Sequence, residues 1–202
     1  MADSDSLETT LRYRAKVELR KRMRAVRKAT PASALDKRSS SIVERLEALP
    51  EIASANSVAL FWPMVDRHEV DLRAFDSALR ARGVRVHYPA IHPETRVMTF
   101  RRVDDVATMV ERGLGFEEPD PAAPVATSLD AIVVPALAVD ARAHRIGYGA
   151  GFYDRALASL TPRPFAVVVA FDFQLLAEVP ETEGDVPCDA VVTDARTLRP
   201  TP

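Results

Sequence analysis

Apolar residues recur at helical spacing through the first fifty positions of the chain. Residues 6–29 contain no glycine or proline, and their leucine, valine and methionine residues recur about once per turn among many Arg and Lys. Thr30 followed by Pro31 is typical of an N-cap with proline in the first helical position, and the next helical pattern runs to Leu49. The pattern therefore predicts an N-terminal pair of helices.

Beyond this pair, short β-branched or aromatic runs alternate with helical stretches. The predicted strands are residues 58–62, 84–88, 97–101, 131–135, 165–171 and 190–193. The runs at 131–135 and 165–171 are apolar throughout, as expected of central strands that are covered on both faces. Strands that alternate with helices predict an α/β fold, with a largely parallel central sheet flanked by helices.

Two helices are predicted between the strands, at residues 70–82, closed by Gly83, and at residues 151–160, ended by Thr161 and a proline. Residues 113–128 are rich in proline, glycine and acidic residues, which indicates an irregular surface connection. No internal repeat or second core is visible. We therefore expect one domain over residues 1–202.

Composition and charge narrow the function classes. The chain has 202 residues, 47% hydrophobic and 28% charged, which is typical of a soluble globular protein. A net charge of −2 gives no general attraction to nucleic acid or to an anionic membrane, so we expect neither as a partner. Cys188 is the single cysteine, which excludes an internal disulfide and a cysteine-based zinc site. Without an apolar leader or a run of about 18 apolar residues, we expect a cytoplasmic protein.

The densest group of candidate functional residues is RIGYGAGFYDR, from Arg145 to Arg155, which follows an apolar strand and opens a predicted helix. Its alternate glycines, Gly147, Gly149 and Gly151, let a ligand approach the main chain closely. The helix N-terminus favours a phosphate, and Arg145 could add a fork-shaped contact. The spacing matches neither a dinucleotide fingerprint nor a P-loop, so phosphate binding and a purely structural turn both stay open.

Candidate metal ligands lie in two acidic segments. Asp154 lies just inside the predicted helix, where its charge would repel a phosphate unless a divalent cation such as magnesium lay between them. The alternative is an aspartate that only favours the helix start. Asp185, Asp189 and Asp194 surround the last predicted strand, and loop aspartates commonly form turns.

A third candidate site is FWPMVDRHEVD, which runs off a predicted strand. Trp62 and Met64 offer flat apolar surface for a heterocycle, and Glu69 could accept hydrogen bonds from ring N–H groups. The alternative places Trp62 and Met64 in the core and Glu69 in solvent. The histidines show no metal-ligand spacing and no Ser-His-Asp signature. The basic residues 16–28 are first of all the charged face of a helix, from which one or two cations could reach a phosphate.

Taken together, these segments resemble the 5-formyltetrahydrofolate cyclo-ligases, also called 5,10-methenyltetrahydrofolate synthetases. The resemblance covers nearly the whole chain, and its most specific part is AIVVPALAVDARAHRIGYGAGFYDRAL. It implies an enzyme that couples ATP hydrolysis to ring closure of 5-formyltetrahydrofolate, giving 5,10-methenyltetrahydrofolate, ADP and phosphate with Mg²⁺. The expected partners are these small molecules. The oligomeric state stays open, and a monomer is compatible with the sequence.

The resemblance also assigns site residues. It implies ATP contacts at Lys16, Arg20, Arg145, Gly147, Tyr148, Gly149, Ala150, Gly151, Phe152 and Tyr153. It implies folate contacts at Trp62 or Met64, Glu69 and Tyr148, and metal ligands at Asp154 and Asp185. Arg145 and Lys16 are the cations that we expect to act in catalysis.

The chain also departs from the family. Many members have G-R-G-K-G where this chain has Tyr148 and Ala150, so phosphate contacts here would come from backbone N–H groups, Arg145 and Lys16. A glycine that is usual after Asp140 is replaced within ARAH. Two other functions stay open: a nucleotide-binding or folate-binding regulator without turnover, and a phosphosugar isomerase-like enzyme, because α/β sheets host several chemistries.

Overall fold

The computed structural model describes residues 2–200. Its helices are α1 (Ala2–Ala29), α2 (Ala32–Glu47), α3 (Pro50–Ala53), α4 (Arg73–Ala81) and α5 (Phe152–Ser159). Its strands are β1 (Ser57–Ala59), β2 (Arg85–Ile91), β3 (Met98–Arg102), β4 (Val110–Glu111), β5 (Glu117–Glu118), β6 (Ala131–Pro135), β7 (Ala138–Val139), β8 (Arg145–Ile146), β9 (Phe165–Val169), β10 (Ala190–Val192) and β11 (Thr197–Leu198). No helix within this range combines the length and the apolar character that a membrane span requires.

The central sheet has seven strands in the order β11-β10-β9-β6-β1-β2-β3. The strands from β10 to β2 pair in parallel, and the edge strands β3 and β11 pair antiparallel to their neighbours. This arrangement confirms the predicted, largely parallel sheet. Because parallel strands end at the same edge, the loops after β1, β2 and β6 meet there.

The central strands are apolar throughout because helices cover both faces of the sheet. On one face, Val133 of β6 belongs to a buried cluster with Ile42 of α2 and Phe75 of α4. On the other face, Ile132 of the same strand belongs to a cluster with Leu157 of α5. Successive strand residues point to opposite faces, so neither face of β6 tolerates polar side chains.

A third, smaller apolar cluster holds α1 in place. Met23 of α1 is buried with Leu137, Ile146 and Val179, which lie on or beside the small β7-β8 ribbon. This contact fixes the helix across the carboxyl edge of the sheet. One face of α1 is thereby directed at the loops that follow the parallel strands.

The N-terminal helical pair is confirmed, but one predicted cap is wrong. The sequence predicts Thr30 as the N-cap of α2, whereas Pro31 occupies that position with φ −58° and ψ 139°, and the helix begins at Ala32. The Thr30 hydroxyl instead donates to the backbone oxygen of Val26, one turn back in α1 (2.9 Å). The Thr30 side chain therefore hydrogen-bonds to the C-terminal turn of α1 and does not cap α2.

Several element ends differ from the prediction. The helix predicted at 70–82 begins only at Arg73, where the Asp71 carboxylate, just before the N-cap Leu72, accepts the Arg73 backbone N–H (3.0 Å). Strand β1 ends at Ala59, three residues before the predicted end at Trp62. Residues 113–128 are not wholly irregular, because β5 pairs with β4 and Val125 bridges to β3.

The turn between β7 and β8 is made without the glycine that the resembled family uses there. Ala143 takes the left-handed conformation, with φ +60°. The buried Asp140 carboxylate accepts the backbone N–H groups of Arg142 (3.0 Å) and His144 (3.1 Å) and so compensates for the strained residue. The turn therefore brings Arg145 into β8.

Candidate active site

A cleft of about 710 Å³ opens at the carboxyl edge of the parallel strands. It is bounded by α1, by the loop after β1, by the hairpin of β2 and β3, and by the glycine-rich loop before α5. All the candidate residues named by the resemblance line this one cleft: Lys16, Arg20, Trp62, Met64, Glu69, Arg145, Gly147, Tyr148, Gly149, Ala150, Gly151, Phe152, Tyr153, Asp154 and Asp185. The fold thus brings together segments that lie far apart in the sequence, while the role of each residue stays a prediction.

The glycine-rich loop exposes backbone at the start of α5. Gly149 (φ +104°) and Gly151 (φ +65°) adopt conformations that side-chain-bearing residues rarely take. Gly151 is the N-cap of α5, and no side chain caps the helix. The positive end of the helix dipole therefore faces the cleft. Arg20 adds charge, because its Nε donates to the Gly147 oxygen (3.0 Å) and its guanidinium lies over Gly149.

Arg145 links two parts of the site. Its side chain is almost fully buried; one terminal nitrogen donates to the Val186 backbone oxygen (2.5 Å) and the other to Oδ1 of Asp154 (2.8 Å). The same Asp154 oxygen also accepts the Val186 backbone N–H (3.2 Å). Arg145 therefore holds Asp154 and the 185–188 segment in place, and its predicted contact with phosphate would have to compete with these acceptors.

Lys16 crosses from α1 to the same segment. Its ammonium is buried and donates to the Asp185 carboxylate and to the Thr182 hydroxyl (2.7 Å). Oδ2 of Asp185 also accepts the Thr182 backbone N–H (2.8 Å). The cation thus lines the same cleft as the glycine-rich loop, and Asp185 orients it.

The two carboxylates proposed as metal ligands each keep an oxygen available. Asp154 uses Oδ1 and Asp185 uses Oδ2 for the contacts above, and no hydrogen bond from the described residues reaches Oδ2 of Asp154 or Oδ1 of Asp185. Within residues 2–200, no three His, Cys, Asp or Glu side chains cluster as a dedicated metal cage. The two free carboxylate oxygens are suitable ligands for Mg²⁺, which commonly binds through one or two carboxylates together with phosphates and water.

A buried carboxylate occupies the opposite part of the cleft. Glu69 accepts the Met64 backbone N–H (3.0 Å) at Oε2 and the Tyr148 hydroxyl (2.7 Å) at Oε1. Burial raises the pKa of Glu69, while the contacts with Met64, Tyr148 and Arg27 oppose that rise. Tyr148 belongs to the glycine-rich loop, so this single side chain connects the two ends of the cleft.

The wall beside Glu69 is aromatic and apolar. The ring of Trp62 meets Tyr88 edge-on, with centroids 5.9 Å apart and planes at 79°. Met64, Met98 and Phe116 also line the cleft. Flat apolar surface next to a hydrogen-bond acceptor suits a planar heterocycle with N–H donors. Trp62 packs against the core and also lines the cleft together with Met64. The alternative that placed Glu69 in solvent is wrong, because this side chain is buried.

Sequence reasoning missed Arg27, Arg67 and Phe116. Arg27 is buried and donates to Tyr148, while Arg67 lies 5.2 Å from the centroid of the Tyr148 ring. The sequence did contain an indication of Arg27. Arg20 follows Lys16 by four residues and Arg27 follows Arg20 by seven, so all three side chains lie on one face of the helix. No comparable signal marks Phe116, which directly precedes β5 and lines the cleft.

Comparison with known proteins supports the resemblance. The sequence profile of the 5-formyltetrahydrofolate cyclo-ligase family matches residues 12–194. The chain is 30% identical over 158 residues to the 5-formyltetrahydrofolate cyclo-ligase of Escherichia coli K12, covering 75% of this chain and 85% of that protein. The Aquifex aeolicus 5,10-methenyltetrahydrofolate synthetase has a similar structure, with a TM-score of 0.79, 28% identity and 93% of both chains covered. The Mycoplasma pneumoniae synthetase shares the fold, with a TM-score of 0.71, 22% identity and coverage of 89% and 98%.

Proposed function

The chain belongs to the 5-formyltetrahydrofolate cyclo-ligase family, and from this premise we propose that it uses ATP and Mg²⁺ to close the ring of 5-formyltetrahydrofolate. The products would be 5,10-methenyltetrahydrofolate, ADP and phosphate. Membership and the named relatives support a ligase that acts on 5-formyltetrahydrofolate. The nucleotide, the metal and the individual residue roles are the finer part of the proposal.

One observation carries these finer assignments. A single cleft presents an uncapped helix N-terminus with Lys16 and Arg20 in one part, and a buried carboxylate beside aromatic side chains in another. Tyr148 joins the two parts through its hydrogen bond to Glu69. A triphosphate and a pterin ring would therefore lie next to each other, as transfer of a phosphoryl group between them requires.

The proposed chemistry needs no nucleophile from the protein. The oxygen of the N5-formyl group attacks the γ-phosphorus of ATP, the bond to ADP breaks, and the oxygen becomes a phosphate leaving group. N10 then attacks the same carbon and loses its proton, and departure of phosphate leaves the methenyl bridge. The protein's part is to position both substrates and to stabilise the charge on the phosphoryl group, and we assign this stabilisation to the loop N–H groups, Lys16 and Arg20.

Asp154 and Asp185 are the residues that would hold the metal. Each has one carboxylate oxygen fixed by a cation and a backbone N–H, and the other oxygen is available to the cleft. Bound there, Mg²⁺ would neutralise charge on the phosphates. The repulsion between Asp154 and a triphosphate at the start of α5 is the physical reason to expect a cation between them.

The test of the proposed function is one assay with two readouts. The purified protein is given ATP, MgCl₂ and 5-formyltetrahydrofolate, and both the release of phosphate and the absorbance of the conjugated methenyl product are followed. We expect equal rates of both, and neither when ATP, magnesium or the folate is omitted. Binding of both ligands without turnover would instead show a regulator, and absence of folate binding with conversion of a phosphosugar would show an isomerase.

Arg145→Lys is expected to reduce kcat/KM about tenfold. A lysine keeps the charge but loses the planar fork whose two terminal nitrogens bond the Val186 oxygen and Asp154, so the contact that fixes Oδ1 of Asp154 is weakened. Steady-state kinetics at several magnesium concentrations would measure the loss. Arg163→Lys is the matched control, because Arg163 pairs with Asp189 outside the cleft. Wild-type kinetics for Arg145→Lys would show that the planar guanidinium is not needed.

Two expectations from the sequence stay predictions alongside this function: one domain and a cytoplasmic location. Unfolding of the purified protein in denaturant should show a single transition when followed both by circular dichroism and by the fluorescence of Trp62. The oligomeric state stays open, and sedimentation of the same protein would measure it.

A further inference from the structure

Arg27, in the last turn of α1, is a buried cation that the chemistry above does not use. Arg27 is only 3% exposed to solvent. Nε (3.0 Å) and one terminal nitrogen (2.5 Å) donate to the Arg67 backbone oxygen, and that terminal nitrogen also donates to the Tyr148 hydroxyl oxygen (2.9 Å). It lies 3.9 Å from Oε1 of Glu69. A buried guanidinium therefore stands directly behind the carboxylate of the cleft.

The chemistry of the three groups fixes the direction of every hydrogen bond among them. A guanidinium can only donate, so the Tyr148 oxygen accepts from Arg27 and its own proton must point elsewhere. The acceptor within reach is Oε1 of Glu69 (2.7 Å). The other oxygen of Glu69 accepts the Met64 N–H (3.0 Å). Both oxygens of Glu69 thus accept hydrogen bonds, which is the pattern of an ionised carboxylate.

We propose that Arg27 is a positioning residue that keeps Glu69 ionised and orients Tyr148, so that the cleft presents a hydrogen-bond acceptor to the substrate heterocycle. The part that concerns the substrate rests on the proposed function. The part that concerns the ionisation of Glu69 is a property of the free protein, and it can be tested without any ligand.

Among the cations around Glu69, Arg27 does most to favour the ionised carboxylate, after the hydrogen bonds from Met64 and Tyr148. The titratable or charged groups that face it are Arg27 from α1, Arg67 from the turn after β1, Tyr148 from the glycine-rich loop and Tyr153 from α5. Arg67 acts on Glu69 only through its charge, and its guanidinium lies over the Tyr148 ring. Arg27 is the cation that also bonds to the bridging hydroxyl.

The first experiment measures the ionisation of Glu69 in the free protein. Carboxyl groups labelled with ¹³C at glutamate are followed by NMR over a pH series, and the signal of Glu69 is identified by its loss in Glu69→Gln. In Arg27→Gln we expect the midpoint of this signal to rise by about one pH unit or more, because an opposite charge within 4–6 Å has been removed. Arg22→Gln, on the exposed side of the same helix, should leave it unchanged.

The second experiment measures the consequence for the substrate. In Arg27→Gln, kcat/KM for 5-formyltetrahydrofolate should fall about tenfold at neutral pH and recover at higher pH, with the KM for ATP unchanged. Arg27→Lys should restore part of the loss, because it keeps the charge but not the forked contact. A purely structural role would lower thermal stability without moving either pH profile.

The outcomes separate the two levels of the proposal. An unchanged Glu69 midpoint in folded Arg27→Gln would overturn the role of Arg27, whatever the protein's activity. A raised midpoint without any change in the pH profile for the folate would uphold the ionisation and overturn the link to substrate recognition. Failure of wild type to bind the folate would reject the proposed function and leave the NMR result standing.

Discussion

Replacing Asp154 with Asn is expected to lower turnover by about a hundredfold or more while the fold survives, a loss of about 2.7 kcal/mol or more in transition-state stabilisation. The amide keeps an oxygen that can accept from Arg145 and from the Val186 N–H, so the local geometry is preserved. What disappears is the charge on the free carboxylate oxygen at the start of α5. A cation between this position and a triphosphate would then be held more weakly.

Magnesium titrations of activity distinguish this explanation from a general loss. For Asp154→Asn we expect a higher magnesium requirement as well as a lower maximum rate, with a circular dichroism spectrum like that of wild type. Asp185→Asn should have a similar but smaller effect, because Asp154 and not Asp185 lies in the first turn of α5, where the phosphate charge is expected. Asp104→Asn, which changes an exposed carboxylate, is the control. An unaltered magnesium requirement in folded Asp154→Asn would leave Asp154 as a residue of the helix start.

The second large effect is expected for Glu69→Gln, which should weaken binding of 5-formyltetrahydrofolate at least tenfold and leave ATP binding unchanged. A hydrogen bond to a charged acceptor contributes about 1.5–3 kcal/mol, and the amide also places a donor where Tyr148 or Met64 already donates. Calorimetric titration with each ligand measures both affinities. Glu47→Gln, on the exposed side of α2, is the control. Equal losses for the two ligands would reject the assignment of Glu69 to the folate.

The raised pKa of Glu69 also predicts how substrate binding depends on pH. Protonation removes the acceptor, so affinity for the folate should be lost as the pH falls through a window that lies above the ordinary value of 4.5. The contribution of Glu69 to folding stability has the opposite dependence on pH. A carboxyl whose pKa is higher in the folded state costs stability as the pH rises through that window. Glu69→Gln removes this cost, so its melting temperature at neutral pH should show no large fall.

Much of the fold could be predicted because it follows from local periodicity. The apolar runs at 131–135 and 165–171 became β6 and β9 at the centre of the sheet, since only strands covered on both faces have no polar side. The ends of elements were less predictable. The helix expected from residue 70 begins at Arg73, where Asp71 accepts a backbone N–H, and the N–H of Asp71 bonds to Ser39 in α2.

The members of the candidate site could also be predicted, but only through the resemblance. The glycine spacing by itself left a structural turn as an equal alternative, and single loop aspartates carry little information. The cleft then assembled all of these residues in one place. Their partners were not predictable. Arg145 was expected to be free for phosphate, yet it is bonded to Val186 and Asp154.

The alternation of strands and helices, the central strands and the glycine-rich loop thus follow from the nature and spacing of nearby residues. Which charges meet depends instead on how distant parts of the chain pack together. Lys16 reaches Asp185, and Arg27 reaches Tyr148 and Glu69, because Met23 is buried against Leu137 and Ile146 and so fixes α1 across the cleft. Such contacts depend on where a helix comes to rest on the sheet, and side-chain periodicity within the helix does not specify that position.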